Sequence, residues 1–194
     1  MTGLLAVLAM VSLLAQPATA TGEPVTGQVQ TQDWFPIRLV NVHGEMVLRA
    51  QMCLDADSNT WRRIPGPGIM QIWHCIPNQP NQQWWGNWAR QGSDLTETTI
   101  QTPGDPIGPP TPRCLDDWYG RITLWECNGQ PQQRWIVRRV WDYDPRFGGF
   151  VDYTIVNDMF GDYLDTVLDQ ADGKPVFGWY ENHSLTQHWF PYPI

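Results

Sequence analysis

Lysine is almost missing from this chain of 194 residues: Lys174 is the only one, and Lys and Arg together number 12 against 20 Asp and Glu. The formal net charge of −8 and a pI near 4.7 argue against phosphate backbones and anionic lipid as partners, because the nonspecific part of such binding depends on clustered basic side chains. Nucleic acid is not an expected partner. Serine is scarce too, four in all, and no Gly-x-Ser-x-Gly occurs, so no nucleophile with its base stands out. Asp and Glu are numerous, but the separation of a glycosidase-type carboxylate pair is a three-dimensional quantity that a sequence does not state. There is no Cys-x-x-Cys knuckle, and only His74 adjoins a cysteine, which argues against zinc as the use of the four Cys. No window carries an apolar stripe at 3.6-residue spacing long enough for a helix.

What the chain does have begins with an uncharged apolar run over 4–14, followed by Pro17 and Ala18-Thr19-Ala20, a small-x-small end of the kind signal peptidase cuts. We expect residues 1–20 to be a secretory signal peptide and the protein to be secreted; the run is short for a membrane span. Residues 21–33 read as a flexible lead-in. The remaining 34–194 suffice for one well-buried domain and leave little for a separate catalytic module. Export implies an oxidising compartment, in which the four cysteines pair. Three pairings are possible, and the repeat described next puts Cys53 with Cys75 and Cys114 with Cys127 on equivalent strands.

That repeat is threefold. Gln-x-Trp occurs as Gln82-Gln83-Trp84, Gln133-Arg134-Trp135 and Gln187-His188-Trp189, at intervals of roughly 50 residues. Each closes a longer phrase that begins Cys53-Leu54-Asp55, Cys114-Leu115-Asp116 or Tyr163-Leu164-Asp165 and passes through Trp73, Trp125 or Trp179. Runs rich in β-branched and aromatic residues, separated by turn formers, predict strands over 35–42, 47–55, 69–75, 84–90, 98–102, 113–117, 121–127, 134–141, 151–157, 163–167, 176–180 and 188–192. That is twelve strands, four per repeat, with repeats of about 34–91, 92–141 and 142–194. Units that cannot each bury a face alone must share one core, which predicts Trp84, Trp135 and Trp189 packed inward and each Gln bonded to backbone at its turn. The stretches 58–68 and 92–112, rich in Pro and Gly, are expected surface loops.

The phrases resemble those of the ricin-type, or QxW, lectin domains, whose unit reads Cys-Leu-Asp, Ile-Gln-Leu-Trp-x-Cys, Asn-Gln-x-Trp. The resemblance covers nearly all of 34–194 and implies an all-β fold, a β-trefoil of three four-stranded repeats with pseudo-threefold symmetry. It also implies non-catalytic carbohydrate binding, so no enzyme activity and no cofactor. Carried over unit by unit, the first repeat matches at every sugar-site position: Asp55, Gln71, Trp73 and Asn81. A carboxylate accepts two hydroxyl hydrogens, an amide both donates and accepts, and an aromatic face takes the C–H side of a pyranose. Gln71 has the alternative of serving the fold alone.

The second repeat keeps Asp116 and Trp125 but has Thr123 for Gln and Gln132 for Asn; the longer Gln132 amide has the reach for a hydroxyl, but the expectation leans against a working pocket here. In the third, Tyr163 and Tyr180 or Glu181 replace the cysteines, Gly178 is expected to shorten its strand, and Thr186 replaces Asn. There Asp165 and Trp179 are expected to be structural, with aromatic packing in place of the disulfide. Trp61, Trp88 and Trp118 fall in or beside predicted loops, and Trp61 and Trp118 are candidate aromatic contacts beside the first and second sites. The resemblance implies a glycoconjugate partner, galactose-type sugars or polysaccharide, with membranes met only through surface glycans. The same family includes cell-binding subunits of secreted toxins such as cytolethal distending toxin, so a toxin's catalytic subunit is the alternative partner. The sequon Asn182-His183-Ser184 matters only in a host that glycosylates secreted proteins.

Overall fold

A computed structural model describes residues 34–60, 66–88, 95–103, 112–146 and 148–194. The expected signal peptide, the lead-in and Trp61 lie outside the described residues. Among the described residues the fold is all-β but for one short helix, with twelve strands. The first repeat holds β1 (Trp34–Asn41), β2 (Met52–Ala56), β3 (Gly68–His74) and β4 (Trp84–Asn87). The second holds β5 (Leu95–Thr98), β6 (Arg113–Trp118), β7 (Arg121–Glu126) and β8 (Trp135–Asp144). The third holds β9 (Gly148–Asn157), β10 (Tyr163–Thr166), β11 (Lys174–Trp179) and β12 (His188–Pro193).

Two layers follow from the pairing. Six strands run in the order β4, β1, β12, β9, β8, β5, all antiparallel. The ends of this row are joined by the bridge between Trp85 and Gln101, whose backbones exchange hydrogen bonds of 2.7 and 2.9 Å. Closure in this way removes the free strand edges that an open sheet would expose. The hairpins β2–β3, β6–β7 and β10–β11 form the second layer and touch pairwise, β3 with β7, β3 with β11 and β7 with β11.

The core lies where the three units meet. Trp84, Trp135 and Trp189 are fully buried, together with Leu54, Leu115 and Leu164 among others. Each indole N–H donates to the backbone carbonyl of the Leu that precedes the repeat's aspartate, at 3.0, 3.0 and 2.9 Å to Leu54, Leu115 and Leu164. Burying an indole without such a partner leaves a costly unpaired donor, so the bond and the burial are one design. A 3-10 turn precedes each core Trp, over Pro80–Gln82, Pro131–Gln133 and Leu185–Gln187. Its Gln accepts from the backbone N–H of Ile76, Asn128 or Asn182 and donates to the carbonyl of His74, Glu126 or Tyr180. Both expected disulfides are formed, Cys53–Cys75 and Cys114–Cys127.

Several local expectations change. The strand expected over 47–55 begins only at Met52, because Asn41 caps a short helix, α1 (Val42–Met46), by accepting from the His43 N–H at 3.1 Å. Asn41 also donates to the carbonyls of Thr186 and His188, tying the first repeat to the third. Trp88, just past the end of β4, is not an exposed aromatic: it is 4% exposed and belongs to the core. Gly178 does not shorten β11, which runs on to Trp179. Its N–H donates to Gly120 O at 2.8 Å, and a Cβ there would sit 2.9 Å from Asp117 Oδ2 and 3.1 Å from Gly120 Cα, so glycine permits the close approach of β11 to the β6–β7 turn.

The third repeat's missing disulfide is replaced only partly by ring packing. Trp179 stacks on Tyr180 with centroids 5.0 Å apart. No disulfide joins the two positions that hold Cys in the other repeats; Arg138 donates to the Tyr163 hydroxyl at 3.3 Å. Burial, with Glu181 beside it, pushes the Tyr163 phenol up.

Candidate functional site

The first repeat brings together all four of its expected residues. Asp55 on β2 stands in register with Gln71 on β3, and the 3-10 turn delivers Asn81 and Gln82 from the other side. Gln71 donates to Asp55 Oδ1 at 2.8 Å; Asn81 and Gln82 donate to Oδ2 at 3.0 and 2.9 Å. Asn81 spends its second hydrogen on Ala56 O at 2.8 Å. A carboxylate offers about four acceptor positions, so three of those at Asp55 are taken by the protein's own amides. Burial pushes the Asp55 carboxyl up to about 6, against the pull of the Gln71 and Gln82 bonds, and the charges of Asp57 and Asp172 add to the rise. The pocket is about 230 Å³ and is lined by Asp55, Asp57, Gln71, Trp73, Gln79 and Asn81. Trp73 is half-buried and so presents part of its face. The third repeat is tied to the end of β3, where Asp172 accepts from the His74 N–H at 2.7 Å and lies 2.7 Å from its Nδ1.

In the second repeat the substitution of Thr123 for Gln has a consequence. Asp116 faces Thr123 in register, and among the described residues only Gln133 donates to it, at 2.9 Å on Oδ2. Burial pushes this carboxyl up and the Gln133 bond opposes it. Its pocket is the larger, about 340 Å³, lined by Asp116, Trp118, Thr123, Trp125, Asn128 and Gln132, with Pro67 of the first repeat on its rim. Trp118 is 60% exposed and Trp125 40%, so both offer ring face to the opening. The Gln132 side chain makes no hydrogen bond among the described residues, which leaves its amide available to a ligand. Asn128 is absent from the family phrase and was not legible as a site residue; only the fold brings it to the rim.

The aspartate of the third repeat accepts three hydrogen bonds, as Asp55 does. Asp165 accepts from the Thr166 N–H at 2.7 Å on Oδ1, and from Gln187 and Asn182 at 3.0 and 3.3 Å on Oδ2. Its register partner is Phe177, a phenyl ring where the first repeat has Gln71. Thr186 turns its hydroxyl to Ser184 at 2.9 Å and not to the aspartate. Here Asp165 accepts only from donors of its own unit.

No family model matches the chain, and no curated protein matches it in sequence. Solved structures match in fold. A designed 3-fold symmetric protein, ThreeFoil, aligns over 82% of this chain and 99% of its own with a TM-score of 0.55 at 18% identity. The Rhizoctonia solani agglutinin aligns over 82% of this chain and 95% of its own, TM-score 0.52, at 15% identity. A mosquitocidal holotoxin aligns over 82% of this chain but only 17% of its own, TM-score 0.54, at 15% identity. Identities this low speak to the fold alone. The chain shares the all-β fold of ThreeFoil and of the Rhizoctonia solani agglutinin.

Proposed function

We propose that the protein is a secreted, non-catalytic carbohydrate-binding β-trefoil that takes galactose-type sugars or polysaccharide through its first and second repeats. The observation that carries this reading is a half-open pocket, present twice, in which a buried aspartate sits beside an amide and an indole face. Hydroxyl pairs and an apolar C–H face are what such a pocket complements. The first repeat holds the full residue set with most acceptor positions filled. The second lacks one amide and for that reason keeps an open carboxylate in a wider pocket. Each site is shallow, so a monosaccharide is expected near the millimolar end, about −4 kcal/mol, with useful affinity arising from a multivalent glycan.

The test is a glycan-array screen and titration calorimetry on wild type, Asp55→Ala, Asp116→Ala and the double variant. Binding to a defined glycan set that weakens in each single variant and disappears in the double variant is the expected outcome. Binding untouched by the double variant, with the fold intact, would reject these pockets.

A second reading is supported by the fold match to a segment of the mosquitocidal holotoxin and by the exposed Trp141 and Tyr143 near the tip of the β8–β9 hairpin. In it the chain is a docking or cell-binding subunit of a multi-subunit secreted toxin. A folded protein silent on the array that co-purifies with a secreted catalytic partner would favour it.

A further inference from the structure

We propose that Asp142, Asp152 and His188 bind a divalent transition-metal ion, zinc in the first place, and that the ion ties the second repeat to the third. The three residues come from β8, β9 and β12. Register places them on one sheet face: Val140 pairs with Asp152 and Asp142 with Phe150 across β8–β9, while His188 pairs with Thr154 across β9–β12. Side chains two residues apart share a face, so Asp142 and His188 are the diagonal neighbours of Asp152 on its two sides.

Their donor atoms converge. His188 Nδ1 lies 2.9 Å from Asp152 Oδ2 and 3.8 Å from Asp142 Oδ2, and one atom from each residue falls within 4.8 Å of the others. Ligands at bonds of about 2.0–2.2 Å in a tetrahedral zinc site stand roughly 3.3–3.6 Å apart, and the two nitrogen–oxygen distances bracket that range.

A simple ion pair accounts for less of the arrangement. Asp152 is fully buried, His188 takes up only its Oδ2, and its Oδ1 has no hydrogen-bond partner. A buried carboxylate oxygen without a partner is costly. Asp142 directs a second carboxylate toward the same nitrogen from beyond hydrogen-bond range, and is itself steadied by the Tyr143 N–H on Oδ1 at 2.7 Å. Two carboxylates around one imidazolium leave a net negative charge, whereas two carboxylates and a neutral imidazole balance a dication.

The donor set selects the metal. One imidazole nitrogen with two carboxylates suits zinc and its first-row neighbours, whereas calcium and magnesium prefer all-oxygen sites. Three protein ligands leave a fourth position for water. His188 is the middle residue of the third Gln-x-Trp; Gln83 and Arg134 hold that place in the other repeats, so neither offers an imidazole. None of the three residues lines either sugar pocket, so this inference stands or falls apart from the carbohydrate reading.

The test uses the chain without an affinity tag, freed of metal with a chelator that is then dialysed away, and titrated with zinc, manganese or calcium chloride. Calorimetry is expected to give one zinc ion per chain, and a hundredfold excess over Kd to raise the melting temperature by about 5 °C or more. Asp142→Asn keeps the His188–Asp152 contact, and should weaken zinc at least tenfold without altering the fold; His188→Gln should abolish binding. No zinc binding by the wild type, binding unchanged in Asp142→Asn, or a preference for calcium would each overturn the proposal.

Discussion

At the scale of single residues, buried acids set the protein's response to pH. Asp55 and Asp117 are 3% and 0% exposed, and burial pushes both carboxyls up to about 6. At Asp117 the Gly120 N–H opposes the rise while Asp162 and Asp116 add to it, and Oδ2 is left without a partner. A carboxyl whose folded pKa exceeds its unfolded value near 3.9 binds more protons folded than unfolded between the two. The contribution of these two groups to stability is therefore fully present below about pH 4, falls as pH rises from about 4 to 6 and levels off above that. Melting temperatures measured from pH 7 down to 5 should rise, and Asp117→Asn should flatten the slope; an unchanged slope in the variant would remove Asp117 as a cause. The aspartates were legible from the repeat phrase, whereas their ionisation was not, because it depends on which neighbours fold over them.

The elements divide between those a local phrase encodes and those it does not. Most strand positions were legible because β-branched and aromatic runs alternate with turn formers, and the Gln of each Gln-x-Trp bonds within its own unit. The disulfides belong to this local order, each bridging one β2–β3-type hairpin over 22 or 13 residues. A closed loop of about 15 residues restrains the unfolded chain by roughly 3 kcal/mol in the entropy model, so reduction should lower the melting temperature by several degrees in a thermal scan, and an unchanged value would show the bridges to be energetically idle. What the strand patterns missed are contacts between units. The helix α1 forms because Asn41 is anchored to the third repeat, and Asn157 makes the matching bonds to the carbonyls of Gln132 and Arg134 across the next junction. Trp88, expected in or beside a loop, is drawn into the core instead.

Over the whole molecule the three core indoles act as one. Trp84, Trp135 and Trp189 occupy equivalent places at the meeting point of the repeats, each satisfied by one carbonyl. Replacing any of them with Ala removes a large side chain from the shared core and should cost about 3–5 kcal/mol, with closely similar losses at the three positions in chemical denaturation. A loss confined to one position would argue against an equivalent threefold core. The sequence by itself determined the number of repeats, the core tryptophans, the cysteine pairing and the aspartate at the heart of each candidate pocket, since these lie in phrases that recur with little change. Only the tertiary structure decided which pockets are open, that Pro67 lines the pocket of the second repeat, that Asp172 bonds His74 of the first, and that Asp142, Asp152 and His188 meet. The physical reason is distance along the chain: contacts inside a unit leave a repeating mark in the sequence, while contacts between units join residues that share no phrase and meet only when the strands close on themselves.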